Sequence, residues 1–183
     1  ILDAKYEIEK QLRDSGLKYT ILRCGSYMQD VFDSRLVLIN NGIFLFPVLK
    51  ERMFTYTSQL DIPRFVVEVL LLRETIINGP INFIEPGTYS VFQVENILSK
   101  ARGKKVSATG KFPLYQILWL MQPYFYLKRH RLSTIIPLLK HFNRFGYVPS
   151  GEKVQELFPD FKMTTLEEHI HSLFIKAGKN DKL

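Results

Sequence analysis

The residues able to do chemistry gather near the start of this sequence. Lys5 lies early in a helical pattern, and Cys24 follows the largely apolar run 18–23 and opens the turn Cys24-Gly25-Ser26-Tyr27-Met28. In α/β folds ligands bind beyond the carboxyl ends of strands, so a thiol at this point is placed to act as a nucleophile. Activation would need a base or a helix N-terminus to lower its pKa, and no histidine lies near it in sequence. A buried structural cysteine is therefore expected, with Gly25, Ser26, Tyr27 and Met28 packing against a ligand ring through backbone and side-chain surface. Taken alone, Lys5 reads as an ordinary solvated helix lysine.

Cys24 is the single cysteine. That excludes an internal disulfide and a Cys-rich metal site, and it suits a reducing compartment. The four histidines make no metal set. His169 and His171 are two apart on a helical pattern and diverge by about 200°, whereas a helical metal pair needs i, i+4 spacing. His130 and His141 fall within basic stretches, and all four are expected to be solvated or capping.

The net charge of +7 is concentrated in one segment. No Asp or Glu occurs between Glu95 and Glu152, while Lys100, Arg102, Lys104, Lys105, Lys111, Lys128, Arg129, Arg131, Lys140 and Arg144 all lie there. Within it Trp119, Tyr124 and their aromatic neighbours precede Lys128, Arg129 and Arg131. Three readings stay open: a helical subdomain with solvated lysines, an element resting on an anionic membrane surface or a membrane protein complex, and a single-stranded nucleic-acid groove. Nucleic acid is the least favoured. The longest apolar run, 112–127, is broken by Pro113, Gln116, Gln122 and Pro123 and falls short of the roughly 20 apolar residues of a membrane-spanning helix.

The elements that must position these side chains alternate between helix and strand. Residues 3–15 read as a helix capped by Asp3, striped by Ala4, Ile8 and Leu12, and stopped by Gly16. Residues 18–23 read as a parallel strand covered on both faces. A helix over 29–40, strands over 43–48 and 53–57, and a helix opened by Ser58 and Asp61 as a capping box follow, with Pro63 in its first turn. Then come a strand over 81–84, a helix capped by Ser90 and Gln93 and ended by Gly103, and a short strand over 106–109. Two or three helices are expected over 112–145, and a last amphipathic helix is capped by Thr164 and Glu167, with Leu166, Ile170, Leu173 and Phe174 on one face.

With 46% hydrophobic residues, 14 Phe and 9 Tyr, the chain can bury a core. Its length of 183 residues suits one domain, or the back half of a domain of roughly 300 residues. Its ten glycines never take the spacing of a dinucleotide-binding turn. Either the pattern is that of the later part of a nucleotide-binding fold, with an N-terminal half preceding it, or the chain does something other than bind a dinucleotide.

The order of these elements and their local words resembles the C-terminal part of the NmrA-like atypical short-chain dehydrogenase/reductases. Lys5 with Glu9 and Leu12, followed by Ser15-Gly16-Leu17-Lys18-Tyr19-Thr20-Ile21-Leu22-Arg23, is similar to that family's Lys helix and the strand after it. Thr57-Ser58-Gln59-Leu60-Asp61-Ile62 and Thr164-Thr165-Leu166-Glu167-Glu168 are similar to two of its helix starts. Among its groups the plastid and cyanobacterial photosystem II assembly factors have words resembling Ile1-Leu2-Asp3-Ala4-Lys5 and Tyr27-Met28-Gln29. Two departures stand out: Cys24 occupies a position that commonly holds Pro, and Pro47-Val48-Leu49-Lys50-Glu51-Arg52 replaces a Thr-Gly-rich tip.

The resemblance implies an α/β architecture: the C-terminal part of a Rossmann-type parallel sheet over residues 1–99, and a smaller, mostly helical, basic lobe over 100–183. It implies NAD or NADP in the cleft between them, with Lys5 on the nicotinamide ribose and Gly25, Ser26, Tyr27 and Met28 lining the nicotinamide pocket. Ile1 stands where dehydrogenases of this kind carry the Tyr of a Tyr-x-x-x-Lys pair, so no acid is evident for protonating a carbonyl. The leading expectation is accordingly a nucleotide-binding scaffold or regulatory factor with little or no dehydrogenase turnover, assisting a photosynthetic membrane complex at a plastid or cyanobacterial thylakoid surface. Outside that group a cytoplasmic location is expected. The alternatives are a reductase of an aromatic, quinone or tetrapyrrole-like substrate, and a structural subunit that has lost nucleotide binding. Trp119, Tyr124, Lys128, Arg129 and Arg131 would form the membrane or partner surface.

Overall fold

The computed structural model describes residues 2–46, 48–71, 79–109, 120, 121, 123, 124 and 132–180. In chain order its elements are α1 (Leu2–Asp14), β1 (Thr20–Cys24), β2 (Ser26–Tyr27), α2 (Met28–Val31), α3 (Leu36–Asn40), β3 (Ile43–Phe44), β4 (Met53–Phe54), β5 (Tyr56–Thr57) and α4 (Asp61–Leu71). They continue as β6 (Gly79–Phe83), β7 (Tyr89–Ser90), α5 (Val91–Arg102), β8 (Ser107–Ala108), α6 (Leu132–Phe145), α7 (Glu152–Leu157) and α8 (Leu166–Asn180). Among the described residues the strands form four pairs, three parallel and one antiparallel. The longest is β1 beside β6, in parallel register from Thr20 opposite Gly79 to Cys24 opposite Phe83.

α1 starts at Leu2, so Asp3 lies inside the helix and not at its cap. Its expected apolar stripe is mostly uncovered: Ala4 and Ile8 are exposed and only Leu12 is half-buried. The helix expected over 29–40 is interrupted by a 3₁₀ turn at Asp33–Arg35 between α2 and α3. There the Ser34 hydroxyl and the Arg35 guanidinium both donate to the Asp30 carbonyl, and side chains that capture backbone carbonyls locally compete with regular helix.

The strand expected over 53–57 divides at Thr55, because its two halves pair with different neighbours. β4 runs antiparallel to β7, whereas β5 runs parallel to β2. The Thr55 N–H donates to the Tyr147 carbonyl at 3.1 Å, and the Thr55 carbonyl accepts from the Ser26 N–H at 3.2 Å. α6 ends at Gly146 (φ 71°), where a Cβ would stand 2.5 Å from the Met53 carbonyl oxygen. Only glycine permits this approach, and it lays Tyr147 alongside Phe54 as a parallel bridge.

Helix starts show how far local chemistry governs the fold. Ser90 and Gln93 form a complete capping box: the Gln93 N–H donates to Ser90 Oγ at 3.2 Å, and the Ser90 N–H donates to Gln93 Oε1 at 2.8 Å. At α8 the box is one residue later than expected and uses Thr165 with Glu168. Thr164 is diverted to Asp61, which accepts from its N–H at 2.6 Å and its hydroxyl at 2.9 Å. Asp61 therefore joins the start of α4 to the approach to α8 and does not close a box with Ser58. α7 is an element the sequence pattern did not indicate.

Among the described residues two apolar cores result. The larger combines Met28, Phe32, Phe44, Phe54 and Tyr56 with Val91, Val94 and Leu98 of α5 and Leu166, Ile170 and Leu173 of α8. The smaller surrounds Phe65, whose ring stacks on Phe83 at 4.5 Å and meets Phe158 edge-on at 4.8 Å. Residues on both sides of position 100 thus share one interior. Among the described residues no helix is long and apolar enough to cross a membrane.

Candidate functional site

β1 leaves the sheet at Cys24, and the chain turns through Gly25 into β2. This crossover is tightly held. The Gly25 N–H donates to Thr57 Oγ1 at 2.8 Å, and that hydroxyl donates to the Phe83 carbonyl at 2.6 Å. A Cβ at Gly25 would stand 2.9 Å from the Thr55 carbonyl oxygen and 3.2 Å from Ile84 Cγ2, so backbone and sheet close directly against this position. Glycine is required here by space, not by φ.

α1 packs over the same end of the strand. Glu9 accepts two hydrogen bonds from Arg23, from Nε at 2.9 Å and from Nη2 at 2.5 Å. This forked geometry fixes the helix face against β1. The Arg23 hydrogen bonds hold the Glu9 carboxyl below the usual carboxylate range, and they push the guanidinium up in turn. Lys5 lies one turn before Glu9 on that face. The result is a cleft of about 500 Å³ whose wall includes Lys5, Tyr6, Glu9, Leu22, Cys24, Gly25, Tyr27 and Tyr147. That volume falls in the range of small-molecule sites, roughly 300–1,000 Å³.

Tyr147 arrives from the far end of the sequence through the Gly146 turn. Its hydroxyl donates to the Cys24 carbonyl at 3.4 Å. The Tyr27 hydroxyl lies near the Cys24 thiol, and the Lys5 ammonium is close enough to act on that thiol electrostatically. Burial nevertheless dominates and pushes the Cys24 thiol up, which leaves it a poor nucleophile at neutral pH, in keeping with a structural cysteine. Burial also raises Tyr27 and Tyr147, and their proximity to Cys24 adds to it. Both phenols stay protonated at neutral pH.

The sequence-derived site residues thus separate in space. Lys5, Gly25 and Tyr27 line one cleft. Met28 is fully buried in the larger core, and Ser26 uses its backbone in the pairing of β2 with β5. Neither is part of the cleft wall. Tyr147 was missed because nothing in its neighbourhood marks it. Only Gly146, a helix stop followed by an aromatic residue, carried a signal. Among the described residues no group of His, Cys, Asp and Glu could hold a metal ion. His169 is neither solvated nor capping: it is buried, with Nε2 2.8 Å from Asp33 Oδ1. Of the basic-lobe residues, Trp119, Lys128, Arg129 and Arg131 lie outside the described residues, and Tyr124 is 56% exposed.

The cleft's chemistry fits the nicotinamide end of a dinucleotide: a cation on a helix, a close-approach glycine and aromatic walls at the carboxyl end of a parallel strand. The pyrophosphate end finds no glycine turn of the required spacing in the sequence.

Solved structures share this architecture. An NADPH-dependent quinone oxidoreductase from Escherichia coli superposes with a TM-score of 0.71 at 19% identity, covering 94% of this chain and 61% of its own. The triphenylmethane reductase of a Citrobacter species complexed with NADP(H) gives 0.66 at 15%, covering 90% and 56%. A nucleoside-diphosphate-sugar epimerase from Staphylococcus aureus gives 0.66 at 19%, covering 88% and 55%. The chain therefore spans little more than half the length of these structures. At such identities the likeness shows the fold, a Rossmann-type α/β arrangement. No curated protein sequence matches. The sequence model of the NmrA-like family matches residues 1–170, nearly the whole chain, and the protein belongs to that family.

Proposed function

We propose that this protein binds NAD or NADP and reduces an aromatic carbonyl compound, a quinone above all, in the cleft at the end of β1. One observation carries the reading: Lys5 and three phenols, Tyr6, Tyr27 and Tyr147, line the same opening. The Ile at position 1 removes the phenol of the Tyr-x-x-x-Lys pair, but the fold supplies hydroxyl groups from two other elements, at Tyr27 and Tyr147. The names of two structural neighbours, reductases of quinones and of triphenylmethane dyes, support an aromatic substrate class.

When bound, the reduced nucleotide supplies a hydride. The chain's own residues hold and shield it. Lys5 hydrogen-bonds the nicotinamide ribose, and the Glu9–Arg23 pair keeps its helix in position. Gly25 allows a planar ring to approach the backbone, and the rings of Tyr27 and Tyr147 exclude water. β1 pairs only with β6 among the described residues, and Tyr6, Ile8, Val66, Val67 and Leu70 are exposed on the flanking α1 and α4. This open edge supports an N-terminal half of the same sheet, carrying the phosphate-binding turn, as the partner that completes the site.

The test is NADPH oxidation by the full protein with a series of benzoquinones and naphthoquinones. Quinone-dependent oxidation is expected. Nucleotide binding with no turnover on any quinone would overturn the reading in favour of a scaffold.

That second reading rests on Ile1 and on the acid-free segment from 96 to 151. In it the protein is a nucleotide-binding assembly or regulatory factor of a photosynthetic membrane complex, at a plastid or cyanobacterial thylakoid surface. Trp119, Tyr124, Lys128, Arg129 and Arg131 would meet an anionic bilayer or a partner subunit. A chain that bound no nucleotide at all would instead be a structural subunit.

A further inference from the structure

We propose that Tyr27 is the proton donor of the cleft, delivering the proton that accompanies hydride transfer to a quinone oxygen; this rests on the reductase reading above. Quinone reduction needs one hydride and one proton. The hydride's two electrons come from NADPH, which becomes NADP⁺. The O–H bond of Tyr27 breaks, a new O–H bond forms on the substrate, and the phenolate recovers a proton from water.

Five groups in the cleft could give a proton, and the geometry separates them. Tyr6 is 59% exposed at the rim, with the Arg13 guanidinium over its ring at 5.9 Å, so its phenol faces solvent. The Tyr147 hydroxyl is committed to the Cys24 carbonyl at 3.4 Å, a backbone acceptor that cannot move aside. The Cys24 thiol is half-buried, and burial holds it protonated. Lys5 is the cation that acts on that thiol, and in the reading above the nucleotide's ribose claims it. The Tyr27 hydroxyl lies beside the Cys24 sulfur, a weak acceptor that leaves it available to a substrate oxygen. Its backbone is fixed as well. Tyr27 stands opposite Thr57 in the β2–β5 pair and immediately precedes α2, whose first residue, Met28, is anchored in the core. The Asp30 carboxylate acts on Tyr27 and disfavours the phenolate, so the phenol is regained from water after transfer.

The experiment compares wild type, Tyr27→Phe and Tyr147→Phe in NADPH oxidation with a short-chain benzoquinone, following kcat, KM and their pH dependence, with NADPH affinity measured by nucleotide fluorescence. General acid catalysis contributes typically 10²- to 10⁴-fold. Tyr27→Phe is therefore expected to lose about 10²-fold or more in kcat, with NADPH affinity within about twofold of wild type and the alkaline fall in kcat abolished. A Tyr27→Phe variant that keeps kcat within about threefold and retains the wild-type pH profile overturns the assignment. So does a loss seen in Tyr147→Phe alone. If wild type binds NADPH but oxidises it with no quinone, the reductase reading itself fails, and the donor falls with it.

Discussion

At Glu85 a carboxyl group is buried with half of its bonding capacity unused. Oε2 accepts from the Leu166 N–H at 2.9 Å and from the Tyr89 hydroxyl at 3.3 Å, while Oε1 and the neighbouring Tyr56 hydroxyl have no partner. Burial pushes the carboxyl up to about 7; the Leu166 and Tyr89 hydrogen bonds oppose the shift, and Glu167 and Glu168 add to it. The folded value lies above the ordinary 4.5, so between pH 4.5 and about 7 the folded state binds the extra proton. Stability must fall as pH rises through that window, and the loss is complete above it. At about 1.4 kcal/mol per pH unit, the penalty is on the order of 3 kcal/mol. Glu85→Gln removes the titration, and its amide can donate to the Tyr56 oxygen. The wild-type Tm should drop relative to that of Glu85→Gln between pH 5 and pH 8. A difference in Tm that stays constant across that range would contradict the account. None of this was visible in the sequence, where Glu85 is an unremarkable acid before a proline.

Among the elements, the joint between α4 and α8 is the clearest case of a contact overriding a local rule. Ser58 and Asp61 have the spacing of a capping box, yet Asp61 turns inward to Thr164, 103 residues away. Asp61→Ala would leave the Thr164 N–H without its acceptor and free the Arg64 guanidinium, which donates to Asp61 at 2.9 Å. A buried donor left unmade costs about 1–3 kcal/mol. Denaturant unfolding of Asp61→Ala should show a loss of that size, larger than the loss for Ser90→Ala at the exposed box of α5. Equal losses would mean that the joint is no stronger than an ordinary cap. The Ser90–Gln93 box, the Gly16 and Gly103 stops and the apolar face of α8 were legible in the sequence because they depend on neighbours three or four residues away. The break of the strand at Thr55, the one-residue shift of the α8 cap and the arrival of Tyr147 were not. Each is decided by a partner at least 29 residues distant, and periodicity carries no information about such partners. The same limit explains the site. Lys5, Gly25 and Tyr27 share a cleft wall because they sit on adjacent elements, whereas Met28, at the start of α2, turns to the core.

At the scale of the molecule, β1 pairs on one side only among the described residues, and the flanking helices expose apolar residues there. Three-quarters of the residues lining the cleft belong to α1 and β1, so whatever joins that edge also closes the site. The central claim is that a nicotinamide nucleotide lies there with its ribose on Lys5. It is tested most directly by titrating the full protein with NADPH and comparing wild type with Lys5→Ala. A hydrogen bond to a charged group contributes about 1.5–3 kcal/mol, so the account predicts saturable binding by wild type and a Kd weakened by tenfold or more in Lys5→Ala, with unchanged Tm in the absence of nucleotide. Equal affinities for the two proteins, or no binding by wild type, would contradict it.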